Sequence, residues 1–221
     1  PRPEASWSVI LGVGVFMSLG QFGFLYVALD AGLPPGLAAL VLQAQVLFTV
    51  AIAGVVLRER PRPTQVLGVL VGLLGLVVVG VGRGGEVSIE AFVLCLVGAL
   101  SWGVGNVLSR SSGVAGGLAL TVWSALVVPL PALLLALLLD GSAELAAGFG
   151  AFGWKSGLST LYTAGLPSLV GYGIFNTLLS RNPSADVVPF VLLAPVVAMA
   201  SSAVLLDQVP NGAEVLGAAV M

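Results

Sequence analysis

Residues 33–57 read LPPGLAALVLQAQVLFTVAIAGVVL, and the five that follow are Arg58-Glu59-Arg60-Pro61-Arg62. The first stretch holds no charge; the second is nearly all charge. A helix rises about 1.5 Å per residue and a bilayer core is about 30 Å thick, so a crossing needs about 20 apolar residues in a row. Residues 33–57 meet that length, and the charged break after them sits where the chain would re-enter water. The same alternation recurs along the chain. It predicts spans at 7–29, 33–57, 64–82, 89–109, 117–139, 156–178 and 184–206, with an eighth that begins after Pro210 and stops at Met221. Barrel strands would alternate apolar and polar residues over about ten positions, and these runs do not.

Composition agrees. Of 221 residues, 58% are hydrophobic and 8% are charged, whereas soluble domains carry about a quarter charged residues. A soluble enzyme, a disordered chain and a disulfide scaffold are excluded by this balance and by the single cysteine. A net charge of −2 offers no basic footprint for nucleic acid. With no histidine and one cysteine, neither a His-ligated nor a thiolate metal site can be built, and no cofactor is implied.

Lysine and arginine in short loops set orientation. With the chain starting on the cytoplasmic side, Arg2, Arg58, Arg60, Arg62, Arg110 and Arg181 fall inside, and Arg83 and Lys155 fall outside. The reverse would put the larger set outside. The loops at Arg58–Arg62, Arg110 and Arg181 are therefore expected to be cytoplasmic. No segment reads as a cleaved signal peptide.

An internal repeat appears when the chain is shifted by 183 − 34 = 149 positions. Pro34 meets Pro183, Leu57 meets Leu206, Pro61 meets Pro210, and Val66-Leu67-Gly68 meets Val215-Leu216-Gly217. The offset implies two helices before Pro1 and about ten residues after Met221, by extension of the repeat pattern. Five helices per repeat is an odd number, so the second copy lies inverted in the bilayer, as in secondary transporters. The sequence predicts an all-α integral membrane protein of seven full transmembrane helices plus a truncated eighth, a fragment of a ten-helix inverted-repeat (5+5) transporter. Residues 1–82 would be the end of the first repeat (helices 3–5), 83–88 a short outer loop, and 89–221 the second repeat (helices 6–9 and the start of 10).

The polar signatures inside these spans carry a family likeness. Leu40-Val41-Leu42-Gln43-Ala44-Gln45, Ser101-Trp102-Gly103-Val104-Gly105-Asn106, Val170-Gly171-Tyr172-Gly173-Ile174 and Ala194-Pro195-Val196-Val197 stand in order along the chain. With them, the sequence resembles the EamA family of the drug/metabolite transporter superfamily, and most of all its bacterial inner-membrane exporters of O-acetylserine and cysteine. The resemblance implies ten helices, both termini in the cytoplasm and export of a small metabolite. The family's Glu at the end of each repeat's fourth helix is matched by Glu59; the second copy has Asp207-Gln208 instead.

Polar groups in hydrocarbon are costly, so those inside spans are expected to face the bundle or a wet cavity. The substrate-cavity candidates are Gln21, Gln43, Gln45, Trp102, Asn106, Trp123, Tyr162, Tyr172 and Asn176. Trp102 and Asn106 are four apart and share a helix face. A carboxamide accepts from an ammonium and donates to a carboxylate, and an indole adds a wall with cation–π character; that suits a zwitterionic amino acid. Asn106 fits equally well as a bond to a neighbouring helix. Gln43 and Gln45 lie about 200° apart around a helix. They cannot share one cavity, and Gln43 is the favoured substrate contact. Pro167, Pro189 and Pro195 are candidate helix breaks or gates, and Pro129 and Pro131 interrupt 117–139. Gly68-Val69-Leu70-Val71-Gly72 and Gly165, Gly171 and Gly173 would allow close helix approach. Cys95 is expected to be inert packing.

No mid-span carboxylate, lysine or histidine is available as a proton relay within these spans. Transport down a gradient fits, as does a coupling group outside the sequence. A membrane enzyme would need a nucleophile with its base, and neither is visible. Gly153-Trp154-Lys155-Ser156-Gly157 lacks the glycine spacing of a P-loop. A channel would want charge rings or a carbonyl filter; a non-transporting membrane protein remains compatible with the physics. The expected partners are a small-molecule metabolite and membrane lipid, with the oligomeric state left open, a monomer included.

Overall fold

The apolar runs fold as helices because lipid leaves a backbone amide no partner except its own helix. The computed structural model describes residues 3–58, 62–82, 88–111, 118–171, 174, 178 and 193–220, and among these there is no strand. Three helices are long and apolar enough to cross a membrane among the described residues: α1 (Trp7–Asp30), α2 (Pro35–Val56) and α4 (Ile89–Ser111). Between them lies α3 (Pro63–Gly82). The 117–139 span is divided into α5 (Leu118–Val127) and α6 (Pro129–Leu139). Pro129 opens α6 at a first-turn position, where its missing N–H costs nothing. The stretch expected as an outer loop holds a short helix, α7 (Gly141–Gly150). Then come α8 (Trp154–Thr163), α9 (Leu193–Leu206) and α10 (Gly212–Val220).

The helix ends follow local chemistry. Ser6 caps α1 through Val9 N. Gly32 at φ +92° turns the chain out of α1, a conformation that glycine adopts without penalty. Pro34 and Pro35 then start α2. Ser88 Oγ accepts from Ala91 N at the start of α4, 3.2 Å away. Glu90 in the first turn of α4 and Arg110 in its last oppose the helix dipole.

α4 is the hub of the described bundle, and its small residues make it so. One face offers Gly98, Ser101 and Gly105 to α1. A side chain on Gly98 would come within 3.1 Å of the Gln21 carbonyl, and one on Gly105 within 2.9 Å of Met17 N. The adjacent face offers Gly103 and Asn106 to α2, where a side chain on Gly103 would meet Phe48 Cβ at 2.9 Å. Larger residues here would hold the three helices apart. Ala91, Cys95 and Ala99 of α4 are fully buried against Ala28, Leu37, Ala38, Leu40 and Val41. By contrast Val55, Leu138, Ile89, Val204 and Leu205 stand exposed. Large outward apolar side chains on apolar helices are the surface that lipid solvates.

Two further contacts tie the chain's end to its beginning. α10 packs on α3 in opposite direction: Gly82 faces Ala213 while Gly217 faces Val79 and the Gly75 carbonyl. α9 packs on the start of α2, with Gly36 against Met199 and Ser202.

Three spans carry irregularities, and only the one at Pro167 is announced by the sequence. α1 runs as a π-helix over Gly14–Gly20. There Ser101 Oγ of α4 donates to the Phe16 carbonyl at 2.8 Å, which supplies a partner to a backbone group in the loosened segment. α2 tightens at mid-span without any proline: the amides of Gln43, Gln45 and Val46 reach back three residues, to Leu40, Leu42 and Gln43. α8 continues as a π-helix over Ala164–Gly171 with Pro167 inside it. Pro167 has no N–H for the Thr163 carbonyl, and Ser168 Oγ takes that carbonyl instead at 3.0 Å.

Two packing expectations are met only in part among the described residues. A methyl placed on Gly165 would have nothing within 4 Å, and one on Gly171 would meet no more than Leu166 of its own helix. The small residues of 156–178 thus bring no neighbour close among the described residues, and Gly173 lies outside them. In the Gly68–Gly72 run, Gly72 packs on Leu47 while Gly68 faces open space. Cys95 is fully buried, its thiol directed at the Ala38 carbonyl at 3.7 Å. A membrane-permeant maleimide should therefore label the folded protein at less than about a tenth of the rate seen after denaturation, since thiol reactivity needs access; equal rates would show the α2–α4 contact to be open.

Candidate functional site

Where α2 crosses α4, three polar side chains meet. Thr49 lies one turn after Gln45, so both project from one face of α2. The Thr49 hydroxyl donates to the Gln45 carbonyl at 2.6 Å. From α4, Asn106 Nδ2 donates to Gln45 Oε1 at 2.8 Å and to Thr49 Oγ1 at 3.1 Å. All three are half-buried. Asn106 is thus bonded to a neighbouring helix, one of the two roles its position allowed. The bond spends its amide N–H groups and leaves its carbonyl oxygen. Trp102, one turn earlier on α4, is also half-buried.

Gln43 points elsewhere, as the 200° separation requires. It lines a cavity of about 510 Å³ between α2, α3, α9 and α10, together with Leu40, Leu47, Val50, Gln65, Gly72, Pro195 and Ala218. This cavity is chiefly apolar, with two carboxamides at its wall. Pro195 is a cavity-lining residue inside the described part of α9.

The remaining candidates separate. Gln21 is buried, 4% exposed, where the π-segment of α1 returns to α-helix. Trp123 of α5 sits edge-on to Trp7 at 6.0 Å, beside the Ala5, Ile10 and Leu120 cluster; it joins α1 to α5 by packing. Tyr162 is 60% exposed on α8, away from the α2–α4 crossing. Pro167 is likewise exposed. Tyr172, Asn176 and Pro189 lie outside the described residues.

Two residues escape a reading of the sequence alone. Thr49 looks like an ordinary span residue, and only its spacing from Gln45 could flag it. Glu214 is a carboxylate 2% exposed. It forms a reciprocal cap with Asn211: Asn211 N donates to Glu214 Oε2 at 2.8 Å, and Glu214 N donates to Asn211 Oδ1 at 2.9 Å. The Asn-x-x-Glu spacing is a legible helix-start pattern, and it gives this carboxylate a structural task at the head of α10.

Apolar helices joined through uncharged carboxamides and hydroxyls, with polar edges turned inward, define a multi-pass helical membrane protein. The EamA-like transporter family matches residues 1–81 and 90–221. The chain belongs to that family; it is a transporter and not an enzyme. It is 38% identical to a protein of Salmonella typhimurium named "Probable amino-acid metabolite efflux pump", over all of this chain and 76% of that one. A protein of the same name from Escherichia coli is 37% identical over the same shares. An uncharacterized transporter of Bacillus subtilis is 24% identical over 91% of this chain and 63% of its own length. No solved structure matches.

Proposed function

We propose that this protein exports small neutral amino-acid metabolites, cysteine and O-acetylserine among them, across a bacterial inner membrane by alternating access between two inverted repeats. The observation that carries the reading is the carboxamide pair at the α2–α4 crossing. Gln45 stands mid-span with Asn106 bonded to it; both are neutral and offer amide groups of both polarities, which suits a substrate carrying both charges and no net charge. The names of the two enteric relatives support the substrate class.

Geometry supports the repeat beyond the sequence match. Arg58 at φ +53° and Asp207 at φ +54° are left-handed helix ends, and 207 − 58 = 149. Gln65 Oε1 accepts from Arg62 N at 2.7 Å, as Glu214 accepts from Asn211 N, and 214 − 65 is again 149. Two non-glycine residues in the same rare conformation, each leading to the same cap at the same distance, are hard to reconcile with chance resemblance between apolar helices. α3 and its counterpart α10 run antiparallel, the arrangement that inversion requires. The π-segments and the mid-span turn of α2 are weak points in helix hydrogen bonding where bending would be concentrated.

Flux decides the function. Full-length protein in liposomes should release labelled L-cysteine and O-acetyl-L-serine faster than empty liposomes, without an imposed proton gradient. Folded protein that moves neither rejects the assignment. Inversion has its own readout: single cysteines at Arg60 and Arg181 should both react with an impermeant reagent from the cytoplasmic side, and labelling from opposite sides would contradict the two-repeat arrangement.

A further inference from the structure

We infer that the Thr49 hydroxyl fixes the polarity of the Gln45–Asn106 pair, so that the site receives an amino acid in one orientation, carboxylate on Gln45 and ammonium on Asn106. This rests on the export reading above and adds a residue that determines specificity.

The polarity follows from a count of protons. A threonine hydroxyl has one hydrogen, and that of Thr49 is committed to the Gln45 backbone carbonyl at 2.6 Å. Toward Asn106, 3.1 Å away, Oγ1 can therefore only accept. Asn106 must present its amide nitrogen rather than its oxygen. The second hydrogen of that nitrogen reaches Gln45, 2.8 Å away, so Gln45 must present its oxygen. Both carboxamides are now oriented. Gln45 Nε2 remains as a pure donor and Asn106 Oδ1 as a pure acceptor. Neither atom makes a hydrogen bond among the described residues, and no side-chain nitrogen or oxygen is buried without a partner there, so both edges keep accessible surface, and it is to these edges that we assign the ligand. A donor edge binds a carboxylate and an acceptor edge binds an ammonium. Without the hydroxyl, the two amides could flip together and keep their mutual bond, and the order of donor and acceptor would be lost.

Thr49→Val removes the hydroxyl while keeping the shape; Thr49→Ser keeps it. In liposomes, Thr49→Val should lower L-cysteine flux about five- to tenfold, the scale of one ordinary hydrogen bond, because both amides remain and only their order is lost. The same variant should leave cysteamine, which lacks the carboxylate, within about twofold, because a single contact at the pair suffices for an amine. Thr49→Ser should restore L-cysteine flux. Equal cysteine flux in wild type and Thr49→Val overturns the inference, and so does a loss that Thr49→Ser shares. A second readout does not need transport. In protein labelled with ¹⁵N at asparagine side chains, the Asn106 amide signal should shift in Thr49→Val and stay in place in Thr49→Ser. An unshifted signal overturns the polarity argument even if export holds. A shifted signal with no flux in wild type would uphold the polarity and reject the export reading.

Discussion

Replacing Asn106 with leucine should reduce L-cysteine export by roughly ten- to a hundredfold while leaving the protein folded. The two effects come from different atoms. Substrate loses the Asn106 carbonyl oxygen, and a hydrogen bond to a charged group is worth about 1.5–3 kcal/mol, which at 1.4 kcal/mol per decade gives the stated range. The fold loses the bonds from Nδ2 to Gln45 and Thr49, and hydrogen bonds between membrane helices average about 0.6 kcal/mol. Initial rates in liposomes and a thermal melt in detergent measure the two separately. A melt that collapses along with the rate would make Asn106 a structural residue and remove the site from α2–α4. A rate within twofold of wild type would do the same while sparing the fold.

The second large effect is on folding, and it discriminates between glycines that look alike in sequence. Gly105→Ala should destabilise the protein by about 1–3 kcal/mol, the range for overpacking. The new methyl would lie 2.7 Å from Met17 Cγ and 2.9 Å from Met17 N, so backbone as well as side chain must move. Gly14→Ala should behave alike, its methyl 2.6 Å from the Ser124 carbonyl. Gly23→Ala has nothing within 4 Å and should be neutral or gain about 0.5–1 kcal/mol from helix propensity. Thermal midpoints of the three variants in one detergent test this. If Gly23→Ala and Gly105→Ala shift the midpoint equally, α4 does not pack on α1 through its small residues.

The helices are legible before any coordinates because their cause is local. Residues 33–57 must be helical in lipid whatever they pack against, and Arg58 to Arg62 must leave it. Pro129 and Pro35 mark helix starts for reasons confined to their own rings. The irregular segments are not legible. The π-helix at Gly14–Gly20 contains no proline, and neither does the tightened turn at Leu42 and Gln43. In the first, a carbonyl is met by Ser101, which lies 85 residues later. Pro167, which does announce a disturbance, is answered by its immediate neighbour Ser168.

The site divides the same way. Spacing alone separates Gln43 from Gln45, and it puts Thr49 on the Gln45 face. It cannot say which helix each glutamine meets, since that depends on how closely α4 approaches α2, and the approach is set by Gly103 against Phe48 and Thr49. Trp123 illustrates the limit: its composition suits a substrate wall, yet Trp7 from another helix claims it. Lipid as a solvent acts on each residue by itself, so sequence was enough to mark the apolar helical stretches, the charged breaks between them and the inventory of polar groups. Hydrogen bonds between helices act on pairs far apart in the chain, so only the tertiary structure decided that Asn106 donates to Gln45 and Thr49, and with it which amide edges are left for a ligand.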